Sequence, residues 1–395
     1  MIESLLNNDL YKYAMQQVVF HHFPGAEVEY EFVCRSGENL RSYLNEITEE
    51  IDNYCTLRLQ KEELDYLRTI PYFKKDFIDF LELYQPQRKH IIIWTTLDQL
   101  KLKIVGPWLL TILHEVPLLA IINEAYFKHT QKSVKLESKE QFYESGARAK
   151  LTYKIALAKA TPNFKFADFG TRRRYSMLWQ DFVVQTCSNY LSSEIFVGTS
   201  NIYLAKKYNI KPIGTVAHEF YQSGQQLGVR VRDSQKFMLQ KWVDEYRGSL
   251  GIALTDTIGI DAFLKDFDLY FSKLYDGVRH DSGCPYMWAR KVCKHYRDFK
   301  IDPNTKSLVF SDGLDFEKAV AILTYCKETL GTTNVSFGIG TNLTNDVPET
   351  KPISIVIKMQ KCNGQPVAKI SDEPSKAQCQ DPEFLSYLKK VFEVK

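Results

Sequence analysis

From about residue 164 the chain repeats one pattern: a short apolar run, a polar or glycine-containing cluster, then a stretch of helical composition. The runs are FKFADFG, IFVGTS, PIGTVAH, IALTD, LYDGVRHDSG, LVFSDG and VSFGIG. SQKFMLQKWVDEY and LDFEKAVAILTYC are examples of the intervening stretches. Strand–helix alternation of this kind predicts a parallel sheet in an α/β fold. The clusters that end the runs are Asp168-Phe169-Gly170, Gly198-Thr199-Ser200, His218, Thr255-Asp256, Arg279 with Asp281, Ser311-Asp312-Gly313, and Gly338 with Gly340. In a parallel α/β barrel the strand C-termini share one mouth, and the active site lies there. An open doubly wound sheet would gather the same ends in a crevice. Seven runs between residues 164 and 340 favour an irregular parallel α/β barrel.

The flanks read differently. Residues 1–150 mix helical patterns with short strands such as AEVEYEFVCR, whose alternation is that of a half-buried strand. After residue 350, ISIVIKMQKCNGQPVAKIS predicts a hairpin turning at Asn363-Gly364, the favoured two-residue pair. That hairpin is expected to pair with the first segment. The predicted domains are therefore 1–150 plus 351–395, an α+β unit made by both chain ends, and 151–350, the barrel. The most apolar stretch, 104–122, is broken by Pro107, His114, Glu115 and Pro117, and reads as a buried helix rather than a membrane span.

Composition narrows the class further. The 395 residues are 44% hydrophobic and 25% charged, as in a packed globular protein. A net charge of +3 gives no reason to expect a nucleic acid or a membrane as partner. The start, MIESLLNNDLYKY, has neither the basic beginning nor the long apolar run of a secretion signal. Eight cysteines without a CxxC pair read as reduced thiols, and the expected location is cytoplasmic.

The candidate chemistry lies at the run ends. SFGIGTNLTND sets Gly338, Gly340 and Thr341 between a strand and a helix start, where backbone N–H groups can hold a phosphate. An ordinary tight turn would look the same. FGTRRRYS carries Arg172, Arg173 and Arg174; three in a row cannot share one direction, so one or two are expected in solvent and one in the mouth. In GVRHDSG, Arg279 and Asp281 stand two apart on one strand face, a cation for an anion and a carboxylate for hydroxyls or Mg²⁺, or simply a salt bridge. A single histidine such as His218 is most often a packed one, and no partner ligands for a metal are evident around it. No Walker-type loop and no GxSxG elbow is present.

Taken together, NDLYKYAMQQVVFHH, EVPLLAIINE, DFGTRRR, FVGTSN, GTVAHE, LGIALTD, RHDSG, LVFSDGLD, FGIGTNLT and CNGQPVAKISD follow in an order that resembles the nicotinate phosphoribosyltransferase family over nearly the whole chain. The resemblance implies formation of nicotinate mononucleotide from nicotinate and phosphoribosyl pyrophosphate, a ligase-type reaction coupled to ATP hydrolysis, in NAD salvage. It implies Mg²⁺, ATP as co-substrate, and a homodimer with shared sites. His218 becomes the expected phosphohistidine, with Asp256 holding its other ring nitrogen and Glu219 pointing elsewhere. Tyr11 of a neighbouring subunit and Phe169 would sandwich the pyridine, beside Arg172 and Thr215. Arg279 would meet nicotinate or the ribose phosphate, and Asp281 the ribose. Ser311, Asp312, Gly313, Gly338, Gly340 and Thr341 would cradle the 5-phosphate. Ser200, a neutral hydroxyl where amide-using relatives are acidic, would favour a carboxylate, unless it only caps the helix beginning at Asn201. Cys284 departs from the usual RHDSGDP and leaves that side chain's role open. A nicotinamide- or quinolinate-using transferase, and a non-catalytic phosphate-ligand binder, remain as alternatives.

Overall fold

A computed structural model describes residues 1–130 and 146–394. Eleven strands form two sheets among the described residues. They are β1 (Glu27–Cys34), β2 (Ile91–Thr95), β3 (Leu100–Pro107), β4 (Phe166–Asp168), β5 (Phe196–Thr199), β6 (Ile252–Leu254), β7 (Gly277–His280), β8 (Ser307–Phe310), β9 (Val335–Ile339), β10 (Ile355–Cys362) and β11 (Gln365–Pro366). The antiparallel sheet has the order β11-β10-β1-β3-β2 and the parallel sheet the order β5-β4-β9-β8-β7-β6. The protein is thus α/β with one sheet of each kind. β1 and β3 alternate buried and less buried positions, as a sheet with one covered face requires. β4 and β8 are almost continuously buried, being covered on both faces.

Closure into a barrel is not seen. Six of the seven expected strands form, and the seventh run, PIGTVAH, makes only one parallel bridge, Thr199 to Pro212. Pro212 has no N–H to continue a ladder. The approach at that edge is nevertheless close. Ile213 N–H donates to the Thr199 carbonyl at 2.8 Å, and a side chain on Gly198 (φ 141°) would lie 2.0 Å from the Lys211 oxygen. Residues 214–217 then cross toward β6 and β7 without strand pairing, so side chains rather than backbone bonds close that gap.

Both chain ends reach the C-terminal ends of the parallel strands. Leu10 N–H donates to the Ser200 carbonyl at 2.8 Å and Ile202 N–H to the Asn8 carbonyl at 3.0 Å, which fixes the start of the helix Leu10–His22 beside β5. At the other end β10 pairs with β1 from Val28↔Cys362 to Cys34↔Ile355. The hairpin closes at Asn363 and Gly364, both with positive φ (50° and 74°), and Pro366 ends the two-residue return strand. Ile370 N–H then donates to the Thr257 carbonyl at 2.8 Å, carrying Lys369 and Lys376 over the ends of β6 and β8. Among the described residues one helical stretch, Trp108–Thr130, is long and apolar enough to cross a membrane, and it is mostly buried inside the fold. The 104–122 stretch is therefore buried, with its first residues in β3 rather than in a helix.

Candidate active site

A pocket opens where the parallel strands end. Its wall includes Tyr11, Phe169, Arg172, Ser200, Thr215, His218, Arg279 and Asp281, so eight of the residues singled out from sequence meet there. Asp256 stands behind His218, fully buried, and accepts from its Nε2 at 2.7 Å. The other carboxylate oxygen accepts from Lys369 Nζ at 2.6 Å and Ser282 Oγ at 2.5 Å. Burial alone would raise Asp256, but His218 and Lys369 outweigh it and hold the acid well below the usual carboxylate range. Burial, reinforced by the Lys369 charge, pushes the His218 ring down to about 4. At neutral pH the imidazole is uncharged, Nε2 carries the proton that Asp256 holds, and Nδ1 is left with its lone pair.

Arg279 donates from Nη2 to the Val216 carbonyl at 2.8 Å, while its Nε is buried with no partner among the described residues. An orphaned guanidinium nitrogen in a pocket wall is suited to an anionic ligand. Asp281 accepts from Ser311 Oγ at 2.7 Å and lies 3.7 Å from His218 Nε2. Burial works against its ionisation, yet Arg279 and His218 keep it below the ordinary value.

Phe169 follows β4 and lies flat on Gly338. A Cβ at Gly338 would sit 2.2 Å from the Phe169 ring, so this glycine clears space for the aromatic face. Gly340, Thr341, Asp312 and Gly313 lie at neighbouring strand ends and are not part of the pocket wall. Asp312 is held by Lys376, whose Nζ meets its two oxygens at 2.8 and 2.7 Å.

Several expectations are corrected. Tyr11 lines the pocket of its own chain, on a helix whose preceding residues 8–10 are bonded to the segment just after β5. The arginine triplet is not a solvated cluster. A single 3₁₀ turn, Thr171–Arg173, aims Arg172 into the pocket and delivers Arg174 into the core. There Arg174 donates to Glu124 and Asn7 at 2.7 Å each. Ser200 donates its hydroxyl hydrogen to Asp9 Oδ1 at 2.7 Å, so it presents lone pairs rather than a donor to a ligand. Nor is it the helix cap: Asn201 fills that role, its side chain accepting from Leu204 N–H at 3.1 Å. Glu219 does not point away; it lines the pocket too.

Glu219 belongs to a buried network of charges. Lys12 Nζ lies 2.6 Å from both Glu219 Oε1 and Glu115 Oε2, and Glu115 Oε1 lies 3.7 Å from Arg172 Nη1. Asp9, Lys358 and Lys369 were missed as well. Three of these charges interrupt a mainly apolar stretch, LLTILHEVPLL for Glu115, IVIKM for Lys358 and PVAKI for Lys369, and that interruption was the available signal; Asp9, in NNDLYK, had none.

A parallel sheet with ion-paired acids, an arginine with a buried unpartnered nitrogen and a neutral histidine at its strand ends makes an α/β protein suited to an anionic ligand. The family model of the nicotinate phosphoribosyltransferase family matches residues 164–395, and that of its N-terminal domain residues 6–123. A nicotinate phosphoribosyltransferase of Xylella fastidiosa is 50% identical over 400 aligned residues, covering 100% of this chain and 98% of the relative. One from Ralstonia nicotianae is 49% identical, covering 100% and 99%. The crystal structure of the nicotinate phosphoribosyltransferase from Vibrio cholerae superposes with a TM-score of 0.93 at 38% identity, covering 100% of this chain and 95% of that one. This chain belongs to the nicotinate phosphoribosyltransferase family.

Proposed function

We propose that this protein makes nicotinate mononucleotide from nicotinate and phosphoribosyl pyrophosphate, with ATP hydrolysis coupled through a phosphohistidine at His218. The transferase activity rests on identity near one half with relatives of that name across the full chain. The ATP coupling rests on one observation, the buried 2.7 Å contact between His218 Nε2 and Asp256.

In this reading Tyr11 and Phe169 flank the pyridine ring in the pocket. The ring nitrogen attacks C1 of the ribose; the new C–N bond forms as the C1–O bond to pyrophosphate breaks, and the electron pair leaves with pyrophosphate. Asp281 stands where positive charge on the sugar needs an acceptor, and Arg279 offers Nε to an anionic oxygen. In the coupled step the lone pair on His218 Nδ1 attacks the γ-phosphorus of ATP, and the bond to the ADP oxygen breaks. Asp256 holds the Nε2 proton of the imidazolium that results. Water later cleaves the N–P bond, returning phosphate and the neutral ring.

Asp281 fits a magnesium ion: its carboxylate lines the pocket, and one protein donor, Ser311, is found on it. Water and substrate phosphate oxygens would complete such a shell. Asp256 does not fit, since both its oxygens are engaged and an ammonium already sits beside it. Bound magnesium would offset charge on the pyrophosphate leaving group. The reading keeps a homodimer, although Tyr11 needs no second subunit to reach the pocket. It also places the enzyme in the cytosol, in keeping with eight unpaired cysteines.

The test is to follow pyrophosphate and ADP release with nicotinate, nicotinamide and quinolinate in turn. Release of both products with nicotinate is expected. Pyrophosphate release with quinolinate alone, or ADP release indifferent to the base, would overturn the reading.

A further inference from the structure

Lys358 stands on β10 with its side chain in the pocket wall, near Glu115 and Arg172. No carboxylate lies within 4.0 Å of its ammonium among the described residues. The acids around it are engaged. Glu115 is bound by Lys12 and faces Arg172; Glu31, opposite Lys358 on β1, meets Lys103 and Gln380. Asp281, at the end of the parallel sheet, faces Arg279 and Ser311. Lys369, by contrast, has its own partner in Asp256.

The pairing of charges at this end of the pocket is informative. Lys12 and Arg172 are engaged by Glu115 and Glu219, and Asp9 by Ser200 and the nearby Arg172 charge, so Lys358 is left without an ion-pair partner of its own among the described residues. A half-buried cation without a counter-ion is costly to the fold, and burial pushes this one down to about 8. The cost is offset when a ligand brings the missing negative charge. The same wall carries Tyr11 and Phe169, whose ring faces suit a flat aromatic ligand, and the fork of Arg172.

We propose that Lys358 is a specificity-determining residue that pairs with the carboxylate of the pyridine base and so selects the acid over the amide. The inference rests on the reading of this pocket as the base site. A carboxylate gives the Lys358 ammonium a direct partner there, whereas a carboxamide leaves it without one. Ser200 cannot serve this purpose, because its hydroxyl hydrogen is given to Asp9.

The test uses the full-length enzyme, with Lys358→Gln and Lys358→Arg, and measures kcat/KM for nicotinate and for nicotinamide and KM for phosphoribosyl pyrophosphate from neutral to alkaline pH. Lys358→Gln is expected to lower kcat/KM for nicotinate by about tenfold or more, the loss of one charge-assisted bond, and to leave nicotinamide within about twofold. In the wild type kcat/KM for nicotinate falls as pH rises through about 8, where the lysine loses its proton. Lys358→Arg keeps acid preference and removes that fall, because guanidinium stays charged. Unchanged acid preference in Lys358→Gln, or a rise confined to KM for phosphoribosyl pyrophosphate, would overturn the assignment while leaving the enzyme's function intact. A wild type that uses no pyridine base would sink both together.

Discussion

Asp256→Asn bears most directly on the chemistry, and its consequences can be worked out from three contacts. Asp256 is fully buried and accepts from His218 at 2.7 Å, Lys369 at 2.6 Å and Ser282 at 2.5 Å. Asparagine keeps the shape and removes the charge, so the Lys369 ammonium stays buried without its carboxylate. Breaking a buried ion pair from one side costs about 3–5 kcal/mol, whereas removing both partners leaves no stranded charge. Asp256→Asn and Lys369→Met are each expected to lose about that much, and the double variant less than their sum by about 2–3 kcal/mol. Urea unfolding of the wild type and the three variants supplies the cycle. Activity behaves differently from stability. Every variant without Asp256 lacks the carboxylate that fixes the His218 tautomer, and the asparagine amide can donate to the ring instead, so the double variant is expected to make ADP about 100-fold more slowly even where its stability recovers. The pH dependence adds a further check. The His218 ring titrates at about 4 in the fold against an ordinary 6.5, a depressed value. Its contribution to stability is therefore complete above 6.5 and is lost as pH falls from 6.5 toward 4, about 3 kcal/mol in all. Lys369→Met removes a cation beside the ring, so the folded-state value rises toward 6.5 and the loss on acidification becomes smaller. Strictly additive single losses, or a double variant that makes ADP at the wild-type rate, would refute this reasoning.

Three other substitutions test separate parts of the pocket. Arg279→Lys keeps charge and loses the fork, so kcat/KM should drop more than about tenfold, the equivalent of a contact worth about 1.5–3 kcal/mol; unchanged kinetics would leave Arg279 as a prop for the Val216 carbonyl. Gly338→Ala places a methyl 2.2 Å from the Phe169 ring. The ring must shift, with KM for nicotinate rising about tenfold and stability falling about 1–3 kcal/mol by overpacking, and an unaltered KM would remove Phe169 from the base site. Ser200→Ala breaks the bond to Asp9 and should cost about 1 kcal/mol in urea unfolding while acid-to-amide preference stays within about twofold. A larger change in preference would return Ser200 to the role its position first suggested.

Much of this pocket was legible because the residues that carry it sit at the ends of apolar runs. His218, Asp256, Arg279 and Asp281 follow strands or short apolar stretches, and parallel topology alone brings such ends together. What escaped the sequence was pairing across the chain. Nothing near Lys12 announces Glu115 or Glu219, which are 103 and 207 positions away. Lys358 and Lys369 lie on a hairpin whose register, not its composition, sets them against the pocket. Ser200 misled for the opposite reason. The hydroxyl was seen, but the acceptor that claims its hydrogen comes from Asp9 at the other end of the sequence. PIGTVAH has the composition of a strand, but Pro212 limits it to a single bridge, which composition alone does not show.

The central claim is that His218 carries phosphate from ATP. Incubation with γ-labelled ATP, followed by mapping of the acid-labile, alkali-stable label, tests it most directly. The account predicts label on His218, faster ADP release when nicotinate and phosphoribosyl pyrophosphate are present, and loss of both in His218→Ala with some uncoupled phosphoribosyl transfer remaining. Nicotinate-dependent ADP release at the wild-type rate from His218→Ala, with no label on the histidine of the wild type, would contradict it.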